Sequence, residues 1–192
     1  MPRSSEQNRS RRQELNDIYL FRGKNRRYND WVQGFLFAYS LKGWCIGTHP
    51  LSANDYGEIY CCDYKEIDPA TIGQWTGLWD STKWKDLTPK EQEFFADGFE
   101  DERCNCPQEH WKGKQIFEDD IVRMEAYIDN YMICVIRRAI DGPMFIAEEE
   151  NGKGWVFFNK QNVCKVIGNV YDNPELIKES EYAKVKRTKK VT

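Results

Sequence analysis

A chain of 192 residues can bury one sizeable core and is short for two independent ones. Apolar residues make up 40% and charged residues 31%, a polar balance offset by 7 Trp, 10 Tyr and 10 Phe, whose rings each bury about 150–250 Å². No apolar run approaches the roughly 20 residues of a bilayer span, Met1–Arg9 lacks the apolar stretch of a secretory signal, and 7 cysteines cannot all pair with one another. The composition argues against a membrane protein or a disulfide scaffold. It points to reduced thiols in the cytoplasm.

The net charge of −3 hides an uneven distribution. Residues 1–27 carry a net +5 and residues 178–192 a net +4, whereas 28–177 hold 14 basic and 26 acidic side chains, a net −12. An acidic body with basic ends disfavours a broad nucleic-acid face. It leaves the ends as places where phosphate could be held.

In chain order, the first apolar run covers 31–39, and a turn at Leu41-Lys42-Gly43 leads to a second at 44–47. A third covers 56–64, and Asp68-Pro69 marks a turn. Gly73 and Gly77 bracket Gln74-Trp75-Thr76, which reads as two tight bends presenting one Trp. Thr88-Pro89-Lys90-Glu91 has the order of a capping box with Pro at the first helical position, predicting a helix over about 89–97 that ends at Gly98, with Phe94 and Phe95 on its buried side. Strands follow at 121–124, 131–140, 144–147, 155–158 and 163–170, joined by tight turns at Asp141-Gly142-Pro143 and Asn151-Gly152-Lys153-Gly154. Asn173-Pro174 then reads as the cap and first position of a short terminal helix.

Four segments in order carry a family resemblance. They are Phe21-Arg22-Gly23-Lys24 with Asp30-Trp31-Val32-Gln33-Gly34, the run 68–80 from Asp68-Pro69 to Leu78-Trp79-Asp80, the run 112–122 from Lys112-Gly113-Lys114 to Ile121-Val122, and the run 166–176 from Val166-Ile167-Gly168 to Pro174-Glu175-Leu176. Together they resemble the YopX family of phage and prophage proteins. The resemblance implies an SH3-like barrel core. With the elements read above, the expected fold is mainly β with a short helical insertion and a short terminal helix; the insertion departs from the family, which usually has a short connection there. The resemblance also implies a phage or prophage origin and transfers no catalytic residues. It spans most of 20–177, so the expected organisation is a YopX-like domain there with an insertion at 81–110, flanked by a flexible basic arm at 1–19 and a basic tail at 178–192 that composition and charge mark. The family commonly has Gly where Asp119 stands, so a turn needing positive φ would differ here.

Several constellations bear on chemistry. Cys104, Cys106 and His110 are the best metal candidates, but the two thiols have one residue between them where zinc pairs usually have two to four, and a fourth ligand would have to come from elsewhere, Cys61 or Cys62 for example. Glu118-Asp119-Asp120 and Glu148-Glu149-Glu150 read as solvated edges rather than cation sites. His49 and His110 are the only histidines, and no Gly-x-Ser-x-Gly elbow, Walker loop or dinucleotide fingerprint is present. No cofactor and no enzyme activity are expected. Trp75, Trp79, Trp84 and Trp111 either pack the helix onto the sheet or form a partner-binding platform. The expected role is a non-enzymatic macromolecule-binding module whose partner is a host or phage protein. The alternative is nucleic-acid binding with Arg9, Arg11, Arg12, Arg26, Arg27, Lys184, Lys186, Arg187, Lys189 and Lys190 on phosphates. A lesser one is an unrecognised enzyme, which would need a polar cleft holding His49 or His110 beside a shifted carboxylate.

Overall fold

The computed structural model describes residues 20–39, 43–48, 52–53, 59–60, 63–97, 111–125, 131–140, 142–149 and 154–177. The chain divides into two compact units, Met1–Gly77 and Leu78–Thr192.

In the first unit, β1 (Leu20–Lys24), β2 (Trp31–Tyr39), β3 (Gly43–Gly47), β6 (Tyr64–Glu66) and β7 (Gly73–Trp79, which runs on into the second unit) form an antiparallel sheet in the order β6-β3-β2-β1-β7. Two short strands, β4 (Ser52–Ala53) and β5 (Ile59–Tyr60), pair separately. Strand alternation sends Val32 and Leu36 of β2 and Ile46 of β3 to one face, where they pack with Phe21, Ile67 and Ile72. Segment 73–77 is strand, not the expected pair of bends: Gly73 pairs with Arg22 and Gln74 with Phe21. Gly77 does take a left-handed φ of 79°, but Trp75 is turned inward and only 6% exposed. Pairing with β1 stabilises an extended backbone that local glycine content disfavours.

In the second unit, β9 (Asp120–Glu125), β10 (Tyr131–Arg138), β11 (Phe145–Glu149), β12 (Trp155–Phe157) and β13 (Cys164–Asn169) form a sheet in the order β12-β11-β10-β9-β13, while β8 (Gln115–Phe117) neighbours β7. Its core gathers Ile116, Val122, Met124, Cys134, Ile136, Ala147, Phe158 and Cys164. β13 is bulged between Val166 and Gly168 where it pairs with β9. Neither sheet closes among the described strands, where the family resemblance implies a barrel: β12 lasts three residues and β13 pairs with β9 alone.

The single α-helix among the described residues, α1, spans Pro89–Asp97. Its capping box forms as expected. The Thr88 N–H donates to Glu91 Oε2 at 2.9 Å and the Glu91 N–H to Thr88 Oγ1 at 3.3 Å. The expected terminal helix is, within the described residues, one 3-10 turn over Pro174–Leu176. Asn173 does not cap it, because its Oδ1 instead accepts the Asn169 N–H at 3.3 Å.

Candidate functional site

Asp80 follows β7, is 5% exposed and accepts four hydrogen bonds on its carboxylate. Its Oδ1 accepts the Thr82 N–H at 3.0 Å and the Lys114 N–H at 2.8 Å. Its Oδ2 accepts the Thr82 hydroxyl at 2.6 Å and the Val166 N–H at 3.0 Å. Beside it, the Ser81 N–H and hydroxyl both donate to the Cys164 carbonyl at 2.8 Å. Gly113, at φ 113°, passes so close to the Asp80 carbonyl that a Cβ would overlap that oxygen. A buried carboxylate with every acceptor direction used by backbone and hydroxyl donors ties strands together. It offers nothing to a substrate.

A buried acidic pair corrects the expectation of a solvated edge at 118–120. Asp119 and Asp120 are 6% and 1% exposed. Asp120 Oδ2 accepts the Phe117 N–H at 2.8 Å, closing the turn into β9. Asp119 keeps the left-handed conformation, φ 68°, despite its Cβ. Its carboxylate meets the Arg137 guanidinium and the Tyr171 hydroxyl, and its backbone bonds to Ile136 and Val170. Those contacts offset the strain that Gly would avoid. Glu148 approaches the same guanidinium at 3.9 Å.

The four tryptophans proposed as a platform are not brought together as one exposed surface. Trp75 is buried. Trp84 and Trp111 lie edge to face at 5.4 Å, Phe95 of α1 packs on Trp111 at 5.0 Å, and Trp111 Nε1 donates to the Thr82 carbonyl at 2.7 Å. This cluster anchors the helix, helped by Lys114 Nζ on Glu91 Oε1 at 2.6 Å. Trp79 alone of the four is exposed, with Lys112 Nζ 5.7 Å from its ring centre.

The metal candidates Cys104, Cys106 and His110, with Cys61, Cys62 and His49, lie outside the described residues. Among the described residues no three His, Cys, Asp or Glu side chains gather as a metal site, and no helix is long and apolar enough to cross a membrane. Cys45, Cys134 and Cys164 are buried free thiols. Burial, with Asp80 and Asp120 nearby, pushes Cys164 up to about 12, which keeps it a protonated core residue. Of the residues proposed for phosphate, Arg26 and Arg27 are exposed on the β1–β2 turn, and Arg9, Arg11, Arg12, Lys184, Lys186, Arg187, Lys189 and Lys190 lie outside the described residues.

A surface that sequence reading left as plain strand is β12. Trp155, Val156 and Phe157 are 57%, 39% and 52% exposed, and β12 is the last strand of its sheet. Bonds from Glu149 N–H to the Gly154 carbonyl and from Phe158 N–H to the Phe145 carbonyl fix the ladder with β11. By antiparallel alternation Trp155 and Phe157 turn their backbone groups to the open side. There the Phe157 carbonyl accepts a 3.5 Å bond from Asn159, and no described strand pairs with that side. Their rings meet edge to face at 5.1 Å on one face of the sheet. The signal lay in Trp155-Val156-Phe157-Phe158, an apolar run without polar alternation.

This second unit is a mainly β, antiparallel module with polar hubs that staple its turns. Residues 109–178 match the family model described as YopX protein, and the chain carries a YopX domain over that span. The third and fourth sequence segments fall within it, and the first two precede it. No curated protein and no solved structure matches the chain.

Proposed function

We propose that this chain is a non-enzymatic phage or prophage accessory module, acting in the host cytoplasm, that binds an extended segment of a partner protein beside β12. The observation that carries the reading is an open strand edge with three consecutive exposed apolar residues. Natural edges are often blunted by charge or proline, neither of which stands in β12, and a partner strand gains backbone bonds along an open edge and ring contacts from its face. Exposed Trp and Phe are the side chains that most often anchor protein interfaces. The SH3-like character implied by the resemblance belongs to the same proposal in an opened form. The antiparallel order β12-β11-β10-β9-β13 and the β13 bulge support it.

The test compares proteins captured from host lysate by the parent chain and by a Trp155→Lys/Phe157→Lys variant whose circular dichroism is unchanged. A partner retained by the parent and lost from the variant is the expected result. Equal capture by both, or no specific capture by either, removes β12 as the binding surface.

A further inference from the structure

We infer that the β1–β2 hairpin is a binding site for single-stranded nucleic acid, separate from β12. Between Leu20 and Gln33 the chain carries Arg22, Lys24, Arg26 and Arg27 against one acid, Asp30, in a protein whose residues 28–177 are strongly acidic. The register sets Lys24 opposite Trp31, and Arg22 is diagonal to that ring on the same face. The Arg22 guanidinium lies 4.7 Å and Lys24 Nζ 5.5 Å from the ring centre, so Trp31 fixes where these cations sit.

The tip is held as firmly. Buried Asn25 accepts the Arg27 N–H on its side chain at 2.9 Å and the Asn29 N–H on its carbonyl at 2.9 Å, and its own N–H reaches the Asp30 carbonyl at 2.9 Å. The Arg26 N–H donates to the Glu66 carbonyl at 2.9 Å. A turn fixed by its backbone presents Arg26, Arg27 and Tyr28 to solvent, with Tyr28 66% exposed and the Arg27 guanidinium 5.1 Å from its ring centre.

Two arginines with an exposed aromatic ring between flanking polar residues match phosphates alternating with unpaired bases. The arginines take the backbone and Tyr28 stacks a base. A duplex shows no open base face to Tyr28, and the acidic remainder of the chain disfavours a long rigid polyanion.

The test measures anisotropy of fluorescein-labelled oligo-dT and oligo-rU, each about 12 nucleotides long, a length within the 4–16-nucleotide site sizes of single-strand-binding folds, with the full-length chain. The two oligonucleotides distinguish DNA from RNA as the source. Two to three phosphate contacts predict an affinity loss of about tenfold between roughly 50 and 200 mM salt. Arg26→Glu/Arg27→Glu should lose about tenfold or more, Tyr28→Ala about five- to tenfold, and Lys186→Gln/Arg187→Gln/Lys189→Gln/Lys190→Gln little. Absence of binding to both oligonucleotides at low salt overturns the site. So does parent affinity in the Arg26/Arg27 variant, equal affinity for a duplex of the same length, or an unaffected Tyr28→Ala variant. None of these outcomes touches β12.

Discussion

Asp80 shows how one residue can hold a fold without doing chemistry. Its carboxylate accepts four bonds, from Thr82 twice, Lys114 and Val166, and the site is buried. Removing the acceptor strands several donors at once, each costing about 1–3 kcal/mol when buried without a partner. Asp80→Ala should therefore destabilise the protein by about 3–5 kcal/mol, read as a lower urea midpoint at unchanged slope. A loss below about 1 kcal/mol would mean that water replaces the carboxylate there. The sequence marked Asp80 only as the end of a motif. Beside the local Thr82, its partners Lys114 and Val166 lie 34 and 86 positions away, which no local pattern encodes.

At the scale of the element, α1 joins a legible start to an illegible anchor. Thr88-Pro89-Lys90-Glu91 fixed the helix start because capping uses only neighbours in sequence. The Lys114–Glu91 contact and the Trp84–Trp111–Phe95 cluster needed the chain to return. The Glu91 carboxyl is held down at about 2 instead of its ordinary 4.5, chiefly by the Lys114 hydrogen bond and also by Thr88, against some desolvation. A depressed acid favours the folded state above its unfolded value, and that contribution is lost as pH falls from about 4.5 toward 2. After discounting for exposure it amounts to about 1 kcal/mol. Thermal unfolding followed from pH 5 to pH 2, at roughly half-unit steps, should show a decline that is shallower in Glu91→Gln. Parallel curves for the two proteins would sink the assignment. The same logic explains β7: its two glycines argue for bends when read alone, yet pairing with β1 makes a strand of them.

For the whole molecule, the family match and the packed unit do not begin at the same place. The match covers 109–178, whereas the second unit begins at Leu78. Leu78 packs against the second core, and Asp80 and Ser81 bond to Lys114, Val166 and Cys164. A fragment of residues 78–192 should unfold cooperatively in urea, whereas one of 109–192 should not, because it lacks the acceptor that joins β8 to β13. Circular dichroism and proton NMR dispersion of the two fragments check this. A well-dispersed, cooperative 109–192 fragment would show that Asp80 is dispensable.

Alternation, turn chemistry and the capping box are short-range physics. From them the sequence by itself determined a mainly β chain, strands β9 to β13 to within a few residues, and the start of α1, while β8 went unread. The tertiary structure decided what depends on return of the chain: the strand state of β7, the burial of Trp75, the conversion of Glu118-Asp119-Asp120 from a presumed wet edge into a stapled turn, and the exposure of β12. The physical reason is that burial and edge position belong to the sheet. Trp75 is 6% exposed and Trp155, on the edge strand β12, is 57% exposed, a difference that residue type alone does not encode.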